Sequence, residues 1–448
     1  MRYLYTAGLA LYLLARLPGF IVAGLAKGKH DLPRRLRESF LGPKFSGPQG
    51  VLPPGRGGAI WVHACSMGEV LAARTLICGL RERFPGHPIV LSTVTRTGYD
   101  IAQRSLKGCL EGLFYFPFDL PLAVRRAVAA VRPAAVVIVE TEIWPNFLLE
   151  CYRRGVAVAW VNGRISDRAF SRYQLAAPLL SPLLAQAKLL IMRTEEDARR
   201  IQRMGAPAER VVVAGNLKYD RDTDSGLGEV ARALAELPAL AGGSGPLIVA
   251  GSTTEPEEAI VLEALRLVRR RPGLEAARLL LAPRHPERFE EVAALVRARG
   301  LSLARRSDAA APPADVVLLD TIGELAAAYA LADAVFVGGS FASRGGQSIL
   351  EPAMHSRAAV VGPHMENFRE VLADFKAAGA TVQLSAEEPQ EAARALAGAW
   401  ARLLEHPEEA AEMGRRAREV LARNAGATAR ALDYLAPVIE AAFATHPA

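Results

Sequence analysis

Short, continuous apolar runs alternate with longer stretches rich in Ala, Leu and Arg from residue 59 onward. Such runs are typical of parallel strands that helices cover on both faces, and their spacing suits β-α-β units. Six runs precede residue 220 and five follow residue 246, at 59–63, 88–93, 135–140, 156–162, 188–192 and 211–215, then at 247–251, 278–283, 315–320, 333–339 and 358–363. The alternation therefore predicts two doubly wound α/β domains.

The alternation breaks over residues 221–246, which open with a polar stretch and close with AGGSGP. Gly and Ser in such a stretch indicate a connection rather than a packed element. The sequence thus predicts an N-terminal domain over 31–220, a linker over 221–246 and a C-terminal domain over 247–425. A last helix over 426–448 is expected to pack near the hinge. Two such domains are expected to bind ligands in a cleft at the carboxyl ends of their strands.

The first 30 residues differ from the rest because residues 3–26 are almost wholly apolar. As a helix they would extend about 36 Å, enough to cross a bilayer core, although Arg16 and Pro18 interrupt the run. A basic cluster follows, formed by Lys27, Lys29, Arg34, Arg35 and Arg37. These features predict a membrane anchor over 1–30 that holds the body on the cytoplasmic face of the inner membrane and attracts anionic lipids. A signal peptide and a buried core helix remain alternatives.

The net charge of +7 is too modest to choose between anionic lipids and anionic substrates. The basic residues are dispersed and lack interleaved aromatic side chains, which argues against a nucleic-acid partner. Four cysteines, at 65, 78, 109 and 151, match neither a zinc motif nor a redox motif. They are expected to be small buried apolar residues, without disulfides, in a reducing compartment.

In the first domain, the motif WVHACSMGE places a turn and a helix start after a strand. Ser66 and the free N–H groups near Gly68 are suited to hold an anion or a sugar hydroxyl. Glu69 would lie in the first turn of the helix, where the helix dipole favours a carboxylate. The residues alone leave open whether Glu69 caps the helix or acts in catalysis.

Further charged residues follow other strands of the first domain. Glu140 and Glu142 lie in ETEIWPN at a strand end, the position expected of a site in a parallel sheet. Arg164 and Arg168 in NGRISDR offer planar donors for a carboxylate or phosphate. Lys218 in GNLKYD ends the domain and is predicted to face the cleft. Ordinary surface charge remains the alternative for each cation.

The second domain carries candidate nucleotide contacts. GSTTEPEE follows its first strand and forms a candidate phosphate cradle. Arg284 and His285 follow the next strand, and Glu324 is suited to accept bonds from ribose hydroxyls. The strongest motif is GGSFASRGGQSILEPA, a glycine-rich loop whose N–H groups are predicted to bind phosphate, with Ser348 and Glu351 at a helix start. No GxGxxG or P-loop sequence is present, which argues against a dinucleotide or ATP as the ligand.

Together, WVHACSMGE, ETEIWPN, NGRISDR, GNLKYD, PRHPERF, DTIGEL and GGxxxxxGGQSILEPA occur in the order of the Kdo transferase family. The chain resembles that family over most of its length. These enzymes add 3-deoxy-D-manno-octulosonic acid (Kdo) to lipid A precursors in lipopolysaccharide biosynthesis. The resemblance implies the GT-B architecture, with two Rossmann-like domains facing across a cleft. It also implies a CMP-Kdo donor, a lipid A precursor such as lipid IVA as acceptor, inversion at the anomeric carbon, and neither metal nor cofactor.

By the same resemblance, Glu69 is the general base, and Glu140 and Lys218 assist the transition state. The CMP-binding residues would be Arg284, His285, Ile322, Gly323, Glu324, Ser348, Ile349, Leu350 and Glu351. The candidates for holding the acceptor or Kdo are Ser66, Gly68, Glu142 and Arg164.

The chain departs from the family at two places. The family's glycine-rich loop usually ends GGHNxLEP, where this chain has Gln347 and Ser348. In STTEPEE, Pro256 replaces a glycine and removes a backbone N–H that a phosphate would use. Two alternatives therefore stay open: another GT-B enzyme, such as a UDP-sugar transferase or epimerase, and a non-catalytic, membrane-tethered nucleotide-binding protein.

Overall fold

The computed structural model of this protein divides the chain into two compact units. Unit 1 comprises Met1–Arg221 and Asn424–Ala448, and unit 2 comprises Asp222–Arg423. The structure describes residues 5–9, 11, 12, 15, 31–43, 58–220 and 227–445. Each unit contains one parallel sheet with helices, which confirms the two α/β domains predicted from the alternating pattern.

Unit 1 is built on a seven-stranded parallel sheet in the order β3-β2-β1-β4-β5-β6-β7. Its elements up to residue 213 are α1 (Leu32–Leu41), β1 (Ala59–His63), α2 (Met67–Arg83), β2 (Ile89–Thr93), α3 (Arg96–Ser105), β3 (Gly112–Tyr115), α4 (Pro121–Val131), β4 (Pro133–Val139), α5 (Pro145–Arg153), β5 (Ala157–Gly163), α6 (Asp167–Leu175), α7 (Ala177–Leu184), β6 (Leu189–Met192), α8 (Glu195–Arg203) and β7 (Val211–Val213).

Unit 2 repeats this plan with strand order β10-β11-β9-β8-β12-β13-β14, again parallel. Its elements are α9 (Leu227–Ala235), α10 (Pro238–Ala241), β8 (Leu247–Thr253), α11 (Glu257–Val268), β9 (Arg278–Pro283), α12 (Phe289–Ala298), β10 (Leu303–Arg305), β11 (Val316–Leu318), α13 (Leu325–Ala328), β12 (Ala334–Val337), α14 (Leu350–Met354), β13 (Ala359–Val361), α15 (Arg369–Ala377), β14 (Thr381–Gln383), α16 (Pro389–Glu405) and α17 (Pro407–Asn424).

The chain then returns to unit 1 with helix α18 (Ala427–Thr445). Leu435 and Ile439 of α18 are buried in the unit 1 core against α2, β4 and β5. Asp220 fixes the start of the helix, because its carboxylate accepts the backbone N–H groups of Gly426 and Thr428. The last helix is therefore part of the first domain.

The core of unit 1 has two layers, one on each face of the sheet. Because side chains alternate along a strand, Ile60 and Val62 of β1 pack with α2, α3 and α18. Trp61 between them packs on the opposite face, where its ring lies 4.9 Å from that of Phe147 in α5. Burial on both faces explains why these strands are continuous apolar runs.

The segment 221–246, predicted as a linker, includes α9 and α10, and nearly all of it is assigned to unit 2. The cysteine prediction is wrong for two of the four residues, because Cys78 of α2 and Cys109 form a disulfide. Cys151 is buried, as expected, and Cys65 is half-buried.

Most of the anchor predicted over residues 1–30 lies outside the described residues. The described helical residues near the N-terminus contact the body of unit 1. The Tyr5 hydroxyl donates to Asp119 Oδ2 at 2.9 Å. Within the described ranges, no helix combines the length and apolar character needed to span a membrane.

Two arginines of the basic cluster are bound by the protein. The Arg34 guanidinium donates to the Tyr99 hydroxyl at 2.6 Å, and Arg35 Nε donates to the Phe116 carbonyl at 2.9 Å. The Arg35 guanidinium also lies over the Phe118 ring. This differs from the prediction that both arginines attract lipid headgroups, because groups of unit 1 already occupy them. Arg37 is exposed.

Candidate active site

Three carboxylates lie near one another where β1 and β4 end. These strands are neighbours in the sheet, with His63 opposite Ile138, so the segments after them meet at one edge. Burial and the nearby Glu140 charge raise the pKa of Glu69 to about 8. Burial and Glu140 also raise the pKa of Glu142. The structure therefore brings together Glu69, Glu140 and Glu142, as the two motifs predict.

Glu69 is held by the turn that starts α2. Ser66 is the N-cap, and its hydroxyl oxygen accepts the Glu69 N–H at 3.4 Å. In return, the Ser66 hydroxyl donates to Glu69 Oε1 at 2.8 Å, and the Cys65 N–H donates to Oε2 at 2.7 Å. These are the reciprocal bonds of a capping arrangement. Gly68 leaves open space beside the turn, because a Cβ there would meet only Ser66 Oγ at 3.8 Å.

Glu140 has a backbone conformation that side chains rarely adopt, with φ +62°. Such conformations cost about 1–3 kcal/mol and persist only where the surroundings impose them. The Glu140 N–H donates to the Val161 carbonyl, and its carboxylate pairs with Arg193. Arg193 is only 4% exposed, and its Nε donates to the Asn162 carbonyl at 3.1 Å. The ion pair orients the Glu140 carboxylate.

Sequence reasoning missed Arg193. It directly follows β6, a position that matches Glu140 after β4, and its charge at a strand end was an available signal. No motif marked it, so the residue remained unnoticed.

Lys218 lies in a short 3₁₀ turn, Leu217–Tyr219, after β7. The Asn216 side chain accepts the Lys218 N–H, and the Asn162 side chain accepts the Leu217 N–H, both at 3.0 Å. Since Asn162 lies near the end of β5, two strands fix the turn that carries Lys218. Lys218 itself is half-buried.

Arg164 belongs to the same edge of the sheet. Its N–H donates to Thr141 Oγ1 at 2.8 Å, which joins the loops after β4 and β5. The motifs ETEIWPN and NGRISDR are therefore adjacent in space. The side chain of Arg168 is outside what the structure describes.

In unit 2, Arg284 and His285 follow β9 and are exposed, with the Arg284 N–H donating to the Thr253 carbonyl at 2.8 Å. Ile322 is 83% exposed, beside Gly323 with φ +95°. Glu324, predicted to accept ribose hydroxyls, instead accepts bonds from Arg306 at 2.9 Å and from Thr321. A ribose would have to share this carboxylate with Arg306.

The segment Ser348 to Glu351 follows the glycine-rich loop. Ser348 is 6% exposed, and its Oγ has no hydrogen-bond partner among the described residues. Such an orphaned hydroxyl fits a polar ligand group. Ile349 and Leu350 are buried and support the turn, while Glu351 is half-buried near Tyr329.

The backbone N–H groups in the first half of the glycine-rich loop bind a carboxylate of the protein itself. The N–H groups of Gly339, Ser340 and Phe341 donate to the carboxylate of Glu257. Thr254 of the predicted cradle GSTTEPEE also donates its N–H to Glu257. Both phosphate-cradle predictions are therefore wrong for these four N–H groups, because a protein carboxylate occupies them. Across the described residues, no group of three His, Cys, Asp or Glu side chains is arranged to hold a metal ion.

Comparison with known proteins adds a family likeness. Residues 34–221 match the family described as 3-deoxy-D-manno-octulosonic-acid transferase (kdotransferase). The chain is 37% identical to the 3-deoxy-D-manno-octulosonic acid transferase of Bordetella pertussis, over 89% of this chain and 91% of that one. It is 33% identical to the enzyme of the same name from Haemophilus influenzae, over 87% and 88%.

Solved structures resemble the fold. UDP-GlcNAc 2-epimerase from Neisseria meningitidis, bound to UDP-GlcNAc, is 14% identical with a TM-score of 0.52, and covers 85% of this chain and 100% of its own. At that identity the likeness shows the architecture alone, and it agrees with the predicted GT-B arrangement of two Rossmann-like domains.

Proposed function

Because the chain belongs to the 3-deoxy-D-manno-octulosonic acid transferase family, we propose that it transfers Kdo from CMP-Kdo to a lipid A precursor, lipid IVA, in lipopolysaccharide biosynthesis. The observation that supports this most directly is Glu69. It is a buried carboxylate with a pKa raised to about 8, at the edge of a parallel sheet where sites form.

Glu69 is the general base of the proposed reaction. A sugar hydroxyl of the acceptor is a poor nucleophile until a positioned base removes its proton. As the proton moves to Glu69, the hydroxyl oxygen bonds to the anomeric carbon of Kdo. The bond from that carbon to the CMP phosphate oxygen breaks, and CMP departs with the electron pair. Attack opposite the leaving group inverts the anomeric centre.

The other candidate residues of unit 1 stabilise charges of the donor and of the transition state. Positive charge develops on the sugar ring as CMP leaves, and the Glu140 carboxylate, oriented by Arg193, stabilises it. Lys218 and Arg164 supply cations for the Kdo carboxylate or the departing phosphate. Ser66, Gly68 and Glu142 border Glu69 and would contact the acceptor.

Unit 2 binds the donor in this proposal. Arg284 and His285 are exposed cationic or hydrogen-bonding groups for the phosphate, and Ser348 offers its orphaned hydroxyl. Ile322, Gly323 and Glu324, with the segment from Ser348 to Glu351, would surround the nucleoside.

We further propose that residues 1–30 keep the enzyme at the cytoplasmic face of the inner membrane, beside anionic lipids. The apolar composition of residues 3–26 and the basic residues Lys27, Lys29 and Arg37 support this. The acyl chains of a lipid A precursor remain in the bilayer, so an enzyme at the membrane surface would meet its acceptor there.

The test is transfer by the purified full-length protein. Incubation with CMP-Kdo and lipid IVA should give lipid products heavier by one or more Kdo units, with CMP released only when the lipid is present. The Glu69→Ala variant should give no product and still bind CMP. An unchanged lipid mass, or competition by UDP rather than CMP, would contradict the proposal and favour a UDP-sugar enzyme.

A further inference from the structure

Glu257, the first residue of α11, is a fully buried carboxylate in unit 2, with an exposure of 0%. An unpaired charge in such a position is costly, and buried charges are usually paired with ions of opposite sign. Across the described residues no Lys or Arg forms an ion pair with it. Backbone N–H groups must therefore balance this charge.

Two segments supply those N–H groups. Glu257 Oε1 accepts the N–H of Ser340 and of Phe341, both at 2.8 Å. Glu257 Oε2 accepts the N–H of Gly339 at 2.7 Å and of Thr254 at 2.9 Å. Consecutive N–H groups that converge on one anion form a nest, the arrangement that binds phosphate in many loops. Here a side chain of the same unit is the anion.

The packing around Gly338 explains how the glycine-rich loop comes so close to Glu257. A Cβ at Gly338 would lie 2.7 Å from the Ser252 carbonyl oxygen and 2.8 Å from Glu257 Oε2. Only glycine lets the loop approach the carboxylate this closely. The glycine predicted to approach a phosphate instead approaches Glu257.

Residues 339–341 of the glycine-rich loop, which bind Glu257, fix the position of residues 345–348 in its second half. The Gly346 N–H donates to the Gly339 carbonyl at 2.8 Å, and Gly345 and Gly346 turn the chain with positive φ values. Gln347 and Ser348 follow, with the Ser348 hydroxyl buried and unpartnered among the described residues. The position of Ser348 therefore depends on the bonds that hold Gly339.

We propose that Glu257 is a positioning residue of the donor site. Its carboxylate occupies the N–H groups of residues 339–341, excludes the donor phosphate from them, and holds the loop so that Ser348 meets the nucleotide. This inference rests on the proposed function, because it takes unit 2 as the CMP-binding unit.

The decisive variant is Glu257→Gln. The amide has almost the same shape, but its NH₂ group would face two N–H donors and cannot accept from them. We expect CMP binding, measured by calorimetry on the full chain, to weaken by about tenfold or more. The KM for CMP-Kdo should rise by a similar factor, while kcat changes by less than about threefold, because Glu69 and its partners are untouched.

Glu258→Gln is the matched control. Glu258 is the next residue, is 1% exposed, and bonds to Arg288 rather than to the loop. Its variant should bind CMP like the wild type. Equal losses of CMP affinity in both variants would show that Glu257 acts only through general stability, and would overturn the inference.

Glu257→Asp tests the same point if Glu257→Gln does not fold. The shorter carboxylate keeps the charge and reaches only some of the N–H groups, so CMP affinity should lie below that of the wild type. Wild-type affinity in this variant, or in folded Glu257→Gln, would refute the positioning role and leave Kdo transfer standing. Absence of CMP binding by the wild type would instead refute the proposed function.

Discussion

Glu69 has contacts that favour opposite charge states. The Cys65 N–H and the Ser66 hydroxyl stabilise its ionised form, whereas burial and the neighbouring Glu140 favour the protonated form. The second group of effects is larger, and the pKa is raised to about 8. A base with such a pKa accepts a proton readily, but most of it is already protonated at neutral pH.

The transfer rate should therefore depend on pH. Because only ionised Glu69 can accept the proton, kcat/KM for the acceptor should rise with pH and level off above about 8. Glu140→Gln removes a charge that raises this pKa, so its midpoint should move to lower pH. Initial rates measured across the neutral range would show both effects. A wild-type midpoint near the ordinary carboxyl value would contradict the assignment.

The same pKa has a consequence for stability. The folded-state pKa lies above the ordinary value of 4.5, so the folded chain binds the proton more tightly than the unfolded chain. The free energy of unfolding should therefore fall as pH rises between about 4.5 and 8. Glu69→Gln removes this penalty, and its melting temperature should exceed that of the wild type above pH 8, by about 2–4 °C for each kcal/mol gained.

Glu150→Gln is the control variant for the stability prediction on Glu69→Gln. Burial acts to raise the pKa of Glu150, but hydrogen bonds from Arg153 and Arg154 together lower it. Its neutral variant should therefore lose stability above pH 8, where Glu69→Gln gains it. A lower melting temperature for Glu69→Gln at high pH would show that the carboxylate is not disfavoured there.

Arg193 should matter for catalysis although it bears no motif. Arg193→Met leaves Glu140 without its partner and frees its carboxylate to move. We expect kcat to fall by about tenfold or more, with the KM for CMP-Kdo nearly unchanged. Arg199→Met is the control, because Arg199 forms an exposed pair with Glu196 that contributes little. An unchanged kcat in Arg193→Met would refute the orienting role.

The site residues that could be predicted from the sequence are those that lie within motifs. Glu69 and Glu140 follow long apolar runs, so their place at a sheet edge was predictable. The pairing of Arg193 with Glu140 and the pairing of Glu257 with the glycine-rich loop were not predictable, because the partners lie 53 and 82 residues apart in the chain. A single sequence gives no sign of such pairs. The sequence also predicted correctly that the glycine-rich loop forms an anion nest. The anion, however, is the carboxylate of Glu257 and not a phosphate.

At the level of elements, the sequence predicted the strands that form continuous apolar runs and missed three that do not. The strands β3, β10 and β14 contain three or four residues and lack a continuous apolar run with β-branched residues. A short strand without such a run depends on its neighbours for its pairing, so propensity alone does not mark it. Strands such as β4, buried over seven residues, were found because burial on both faces demands apolar side chains.

The disulfide connects two elements of unit 1, because Cys78 lies in α2 and Cys109 lies between α3 and β3. Under non-reducing conditions, the unfolded chain should expose two reactive thiols, those of Cys65 and Cys151, and four after reduction. Mass analysis after alkylation would count them. Closing a loop of 31 residues should stabilise the fold by about 3–4 kcal/mol, so reduction should lower the melting temperature. Four thiols without reductant would refute this bond.

Cys78→Ala/Cys109→Ala is the matched variant for this experiment. Without the two thiols, the melting temperature should be the same with and without reductant. A remaining effect of reductant would point to Cys65 or Cys151 instead.

Across the whole molecule, the proposed chemistry is divided between two separate cores. Glu69, Glu140 and Lys218 belong to unit 1, whereas Glu257 and Ser348 belong to unit 2. Donor binding and proton transfer should therefore be separable by substitution. Neither core contains all the groups that the reaction needs.

CMP should accordingly stabilise unit 2 whether or not Glu69 is present. At about one hundred times its Kd, CMP should add about 2.7 kcal/mol to the free energy of unfolding. Hydrogen exchange should slow at the backbone of residues 345–351 in the wild type and equally in Glu69→Ala. Loss of this protection in Glu69→Ala would show that the donor depends on unit 1 for binding.

The return of α18 to unit 1 also bears on how the protein is made. Residues up to 221 leave the ribosome with part of one face of their sheet uncovered, because Leu435 and Ile439 have not yet been synthesised. Roughly 200 residues of unit 2 must be translated first, which takes about 10–40 s at typical speeds of translation. Throughout that interval the nascent chain presents an apolar surface to solvent and to any waiting chaperone. The unit that is made first is completed last.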